Sequence, residues 1–450
     1  MKKVFRKIHL WLSVPFGIII TLVCFSGATM VYEKEITEWC RHDLYFVKEV
    51  KDSPLPLDSL MRSVAATLPD SVSVTGVTVY PESGRAYSVA LSKPRRAVVY
   101  VDQYTGEVKG RGERLPFFDT MFHLHRWLLG DSQSAGGGPS VGKLLVGCSA
   151  LALVVILLTG ILMWLTNRRK PLRKSLTISF TKGSHRFLHD LHVAGGIYAT
   201  IFLLALALTG LTWSFSWYRS AFYAACGVET SEAEQGRHGH GGQPEGKGRG
   251  DRALEREGRG HGHQHEDSAA ARPWHHRPDA VLADSAAGGQ KNRHPHRGTD
   301  WHRSSRKPDM IADVRKDTVL ILEGDPVPVP FAHWQEVYGH LAQTHPGFRQ
   351  ISISDGAATV VPEGRKSLRA GDTYNFDVFS GKIMGYKPYA EQDKATKVRS
   401  TVYMLHVGSW GGWFTRLITF LAALLGVTLP LTGYYLWLKR LTAKRPDGKP

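Results

Sequence analysis

Four histidines stand at matched places in this chain. His9 opens an apolar run over residues 8–32, with Gly27 eighteen residues on; His192 opens another over 190–217, with Gly210 at the same interval. His125 and His406 precede two further apolar runs, 141–166 and 412–438. Inside these, Leu158-Thr159-Gly160 followed by Trp164-Leu165 recurs as Leu431-Thr432-Gly433 followed by Trp437-Leu438. Imidazole serves as a metal ligand, a proton carrier or a pH-sensitive charge. A lone one at the end of a membrane helix is more often a packed or capped side chain. Four at matching positions in a repeated unit favour ligation, because facing helices can present imidazoles in pairs.

The elements that must position them follow from the apolar runs. Each exceeds the roughly 20 residues that cross a hydrocarbon core of about 30 Å, and none carries a charged residue through its middle. The expected fold is an α-helical integral membrane protein with four transmembrane helices in a duplicated arrangement. The net charge is +17. Much of it lies beside the spans: Lys2, Lys3, Arg6 and Lys7; Arg168, Arg169, Lys170, Arg173, Lys174, Lys182 and Arg186; Lys439, Arg440, Lys444 and Arg445. That placement speaks for the lipid bilayer and against nucleic acid. The positive-inside rule puts residues 1–7, the basic loop 167–189 and the tail 439–450 in the cytoplasm, with both termini inside. The start also resembles a signal peptide, with Ser26-Gly27-Ala28 after the apolar run. The length of that run and the recurrence of its pattern at His192 mark it as retained. Cys24 and Cys148 fall inside spans and read as packing residues. Cys40 and Cys226 fall just outside, at equivalent places, and their pairing is left open.

The two long loops each contain a small α+β pattern. In residues 33–120 a helix over 57–68, ended by Pro69, precedes strands at 73–80, 87–91 and 97–101 and a hairpin through Asp102 and Thr105-Gly106. In residues 309–400 a helix over 334–343 precedes strands at 350–354, 359–362 and 373–379 and a hairpin through Asp377 and Ser380-Gly381. One constant offset relates the two hairpins. Residues 121–140 and 401–411 are the histidine-bearing segments before the second and fourth spans. A short connector, 218–230, leads into 231–308, which is rich in Gly, Arg and His and too poor in apolar residues to fold. Its His238, His240, His261, His263 and His265 suggest weak metal binding, set against a plain solvated linker.

The chain resembles the PepSY-associated transmembrane proteins of bacterial inner membranes. The resemblance rests on Ile8-His9-Leu10-Trp11, Phe122-His123-Leu124-His125-Arg126-Trp127, Asp190-Leu191-His192, Leu405-His406 and the two Asp-x-x-Thr/Ser-Gly hairpins, and covers about 1–225 and 310–442. It departs from the family pattern at Val193, where a Lys or Arg usually follows the third-span histidine. The resemblance implies that the loop units are two extracytoplasmic PepSY-like domains. It also implies a haem-bearing ferric-siderophore reductase or an iron-uptake accessory protein.

The topology sets which histidines can meet. His9 and His192 both open spans running outward, and His125 and His406 both precede spans running inward. A pseudo-two-fold along the membrane normal, as in parallel repeats, would bring each pair across its axis. The expectation is two haem b groups, each with two axial histidines, with His189 and His123 as alternates to His192 and His125. Gly27, Gly160, Gly195, Gly210 and Gly433 would admit a flat macrocycle or simply pack helices closely. Trp127, Trp410 and Trp413 would touch substrate or form an interfacial belt. Spans without carboxylates in their middles offer no polar path for metal transport, which favours electron transfer. The expected acceptor is a ferric siderophore or other ferric chelate, a substrate taken from the resemblance. With about a dozen residues after the last span, the donor is expected to be a separate cytoplasmic reductase or quinol. The alternatives are a non-enzymatic protein whose outer domains bind peptide or protein partners, as sensor or inhibitor, and a siderophore permease.

Overall fold

The computed structural model describes residues 2–131, 138–166, 176–228, 319–320, 327–365 and 367–442. The histidines of 231–308 lie outside the described residues. Among those described are four helices long and apolar enough to cross a membrane, Lys3–Met30, Val141–Leu165, Ser184–Ser214 and Ser409–Thr442.

The helices outside and inside the spans are, in chain order, α1 (Lys2–Met30), α2 (Glu33–Cys40), α3 (His42–Tyr45), α4 (Leu57–Thr67), α5 (Pro116–Trp127) and α6 (Val141–Leu165). The third span is composite: α7 (Ser184–Asp190), a π-helical turn (Leu191–Gly195) and α8 (Gly196–Ser214). Next come α9 (Ser216–Ala225), α10 (Trp334–Thr344), α11 (Lys394–Val407) and α12 (Gly412–Thr442). The helix α9 occupies what the sequence suggested was a plain connector. Around the bundle, α1 packs against α6 and α12, and α8 packs against the same two. Small residues let the helices approach closely. A Cβ on Gly17 would lie 2.5 Å from the Tyr434 hydroxyl, and one on Gly426 2.7 Å from Cys24 Sγ. Tyr434 thereby reaches α1 and donates to the Val14 carbonyl at 2.6 Å, beside Pro15.

The strands are β1 (Val74–Val79), β2 (Tyr87–Leu91), β3 (Val98–Val101), β4 (Val108–Arg111), a two-stranded ribbon β5 (Val319–Leu320) with β6 (Val327–Pro328), then β7 (Phe348–Ser354), β8 (Ala357–Pro362), β9 (Asp372–Phe376) and β10 (Ile383–Lys387). The two loop units are not separate domains. They form one eight-stranded antiparallel sheet, ordered β10-β9-β8-β7-β1-β2-β3-β4, joined where Val77, Thr78 and Val79 pair with Ile353, Ser352 and Ile351. Side chains alternate across a strand, so β1 turns Val77 and Val79 into the same core as Ile351 and Ile353 of β7. Leu57, Leu60, Met61 and Val64 of α4 cover that core beside Trp334, Val337 and Leu341 of α10. Gln335 accepts from the Leu57 N–H at 2.8 Å, so the second unit caps the helix of the first. The matched hairpins have a local cause: Asp102 accepts from the Tyr104 N–H at 2.8 Å and Asp377 from the Phe379 N–H at 3.4 Å. Gly106 and Gly381 then take φ of 75° and 66°, which glycine adopts without steric cost.

Candidate functional site

The structure brings His9 to His192 and His125 to His406. The ring centroids are 6.4 Å apart in the first pair, with planes at 85°, and 6.1 Å apart in the second, with planes at 58°. His123 and His189 belong to neither pair. His123 bonds the Asp119 carbonyl on its own helix at 2.9 Å, and His189 lies against the neighbouring Asp190 carboxylate at 3.2 Å.

Each paired imidazole is held by Nδ1, and the same device holds all four. His9 meets the Ile156 carbonyl at 3.0 Å and Thr159 Oγ1 at 3.2 Å. His192 meets the Leu429 carbonyl at 3.1 Å and Thr432 Oγ1 at 3.0 Å. His125 meets the Val23 carbonyl at 2.9 Å and Ser26 Oγ at 3.4 Å. His406 meets the Leu206 carbonyl at 3.1 Å and Thr209 Oγ1 at 3.0 Å. A carbonyl only accepts, so Nδ1 carries a proton, and in the neutral ring Nε2 keeps its lone pair. The hydroxyls spend their own protons inside their helices, as Thr159 does on the Val155 carbonyl at 2.8 Å and Thr209 on Ala205 at 2.6 Å. They therefore accept from the ring. Among the described residues no hydrogen bond reaches any of the four Nε2 atoms.

The receptor on each span is a carbonyl at one residue, a buried Ser or Thr three residues on, and a glycine next to it: Val23/Ser26/Gly27, Ile156/Thr159/Gly160, Leu206/Thr209/Gly210 and Leu429/Thr432/Gly433. These four glycines leave room for an imidazole. A Cβ there would stand 3.0 Å from His125 Cε1 at Gly27, 3.5 Å from His9 at Gly160, 3.1 Å from His406 at Gly210 and 3.3 Å from His192 at Gly433. Gly195 differs, since a Cβ there would meet Leu191 and Leu425. The Ser/Thr–Gly steps recur in the sequence, but their role was missed, and Ser26-Gly27 passes there for part of a leader-like pattern.

The carriers differ between the ends. His9 lies on α1 itself, and His192 lies on the π-helical turn, a bulge that redirects side chains and is frequent at functional sites. His125 and His406 lie in the last turns of α5 and α11, outside the spans. Those helices end on left-handed residues, Leu128 at φ 50° and Gly408 at φ 74°. Burial holds His125 below the ordinary histidine range. Burial, then the neighbouring His125, push His406 down to about 3. Both shifts favour the neutral ring, the form that binds metal. Trp213 stands edge-on to His406 with centroids 5.0 Å apart. Trp410 and Trp413 are exposed, while Trp127 packs on Phe122 and His123. Cys40 and Cys226 are both free and exposed.

His9 and Ser26 are seventeen residues apart on α1, as are His192 and Thr209 on the third span, so the pairs are about 25 Å apart along the bundle at roughly 1.5 Å per helical residue. Among the described residues, no group of three or more His, Cys, Asp or Glu side chains could hold a bare metal ion. A metal that brings its own equatorial ligands needs only two. With metal–nitrogen bonds of about 2.0 Å and a ring radius of roughly 1.15 Å, imidazoles on opposite sides of one metal have centroids about 6.3 Å apart. The observed 6.4 and 6.1 Å fit that arrangement.

Four apolar helices around two half-buried histidine pairs define a multi-pass membrane protein. The chain belongs to the PepSY-associated TM region family, whose model matches residues 6–440. No curated protein matches it.

Proposed function

We propose that this protein carries electrons across the bacterial inner membrane through two haem b groups and delivers them to a ferric chelate on the outer side. The observation that carries the reading is the pair of matched histidine sites. Each presents two neutral imidazoles at a spacing suited to one metal, and the sites stand at opposite ends of a bundle without charge in its middle. His9 with His192 would hold one haem and His125 with His406 the other, each through its imidazoles. Bound haem supplies a reversible one-electron change between ferric and ferrous iron. The chain's own part is to fix each ring through a carbonyl and a hydroxyl, keep Nε2 unprotonated, and line the bundle with apolar side chains.

In this reading the halves arose by duplication, and the fused α+β units are PepSY-like and face the periplasm. Both termini and the pair His9–His192 lie on the cytoplasmic side, in line with the basic flanks. The ferric siderophore or other ferric chelate rests on the family resemblance. Reduction suits it, because ferrous iron holds oxygen donors less tightly. Electrons come from a separate cytoplasmic reductase or from quinol.

The test is a dithionite-reduced minus oxidised absorption spectrum of the detergent-purified protein, repeated for His192→Ala and His406→Ala. The expected result is low-spin b-type bands at two haems per chain, with one haem lost in each variant. Well-folded protein expressed with haem supplied and showing no Soret band would overturn the proposal.

A further inference from the structure

Beside the outer histidine pair is a group of cations that the electron-transfer reading has not used. Arg126 follows His125, and its guanidinium lies 5.4 Å from the Phe122 ring centre and 4.9 Å from that of Trp127. The start of α6 packs directly on this turn, since a Cβ on Gly142 would run into the Trp127 carbonyl. That packing sets Lys143, in the first turn of α6, next to the contact, where its charge and that of Arg126 act on one another. Both His125 and His406 feel the charge of Arg126. Among the described residues, no carboxylate forms an ion pair with Arg126 or Lys143; the ion pairs of this region, Arg114–Glu33 and Arg416–Glu35, engage other cations.

Like charges gathered in a half-buried place repel one another and lose hydration, a cost that an anion offsets. Aromatic faces steady the guanidinium without neutralising it. The cluster adjoins the imidazoles, so an anion carried by whatever sits between them would meet it.

We propose that Arg126 and Lys143 form a carboxylate-binding site that takes the propionate groups of the haem held between His125 and His406. The inference rests on the haem reading above. The site sets the orientation of the macrocycle about the His125–His406 axis. It also raises the reduction potential of the outer haem, because positive charge favours the ferrous form.

The experiment uses full-length protein in detergent, wild type against Arg126→Gln, Lys143→Gln and the charge-keeping Arg126→Lys. Redox titration reads both haems, and apo-protein is titrated with protohaem and with its dimethyl ester, which lacks the carboxylate charge. Wild type should bind protohaem at the outer site at least tenfold more tightly than the ester. Arg126→Gln and Lys143→Gln should erase that preference and lower the outer midpoint potential alone, while Arg126→Lys keeps most of both. If Arg126→Gln fails to fold, Lys143→Gln carries the same test. Unchanged preference and potentials in a folded, haem-loaded variant would overturn this site and leave the haem reading intact. Absence of haem from the wild type would overturn both.

Discussion

The two histidine pairs share one receptor and differ in their carriers. At the end holding the N-terminus, both imidazoles hang from the spans, so their separation follows from the packing of the bundle itself. At the end nearer the sheet, both come from short helices docked against the spans, each ending in a left-handed turn. The difference teaches where adjustability lies. Moving His9 or His192 requires shifting a whole span, whereas His125 and His406 move if α5 or α11 shifts, and both helices connect directly to the sheet. The pair nearer the sheet is therefore the one whose geometry an event on the sheet can alter.

Glycine substitutions should break the comparison most visibly. Gly27→Ala and Gly210→Ala place a methyl 3.0 and 3.1 Å from an imidazole already fixed at Nδ1. On the proposed haem reading, overpacking there costs about 1–3 kcal/mol, roughly a ten- to hundredfold loss of haem affinity at the His125–His406 site. Gly160→Ala finds ordinary contact at 3.5 Å and should leave affinity at the His9–His192 site within about twofold. Gly433→Ala falls between. Haem stoichiometry and affinity, measured spectroscopically for each variant, give the order; equal losses at both ends would break it.

A smaller effect is expected from the hydroxyls. Thr209→Val and Thr432→Val remove one of two acceptors for an imidazole N–H and keep the shape. Loss of an outer partner of a metal-bound histidine typically weakens binding about 10- to 100-fold, and with the carbonyl retained the lower figure applies. The loss should be larger for Thr209, where the ring is carried by a docked helix, than for Thr432. Titration of haem into the two apo-variants reads the ratio, and a ratio of one would show that the carrier is immaterial.

The smallest effect concerns the link between α2 and α12. Arg416 donates to Glu35, with one contact at 2.7 Å, and the hydrogen bond from Arg416 holds the Glu35 carboxyl below the usual range. A lowered carboxyl contributes stability that is complete above its unfolded pKa and is lost as pH falls through the folded value. Glu35→Gln should therefore lower the melting temperature at neutral pH, and the gap to wild type should close in acid. The pair is half exposed, so the contribution is under about 1 kcal/mol. A gap that widened in acid would contradict the assignment.

The histidine pairs were legible because the interval from histidine to glycine and the direction of each span can both be read from the chain. The receptors were not. That Ser26 serves His125, while Thr159 serves His9, depends on which helices are neighbours, and the apolar runs look alike on every face. The π-helical turn at His192 left no local mark either, since Leu191-His192-Val193-Ala194-Gly195 suits an ordinary helix. The two α+β units were read at nearly their observed boundaries from alternation and turns. Their fusion was not, because a strand that pairs with a distant partner has the same alternating pattern as one that pairs only within its hairpin.

That fusion has a consequence in time. The seam between β1 and β7 joins residues such as Thr78 and Ser352, whose hydroxyls meet at 2.9 Å across 274 positions of chain. At roughly 5–20 residues per second of synthesis, the partner of β1 appears on the order of tens of seconds after β1 itself. Through that interval the first unit has a bare strand edge, of the kind that recruits foreign strands. Guarding that edge until translation reaches residue 352 is a task for the cell, and slowed synthesis between the halves should show up as aggregation of the first.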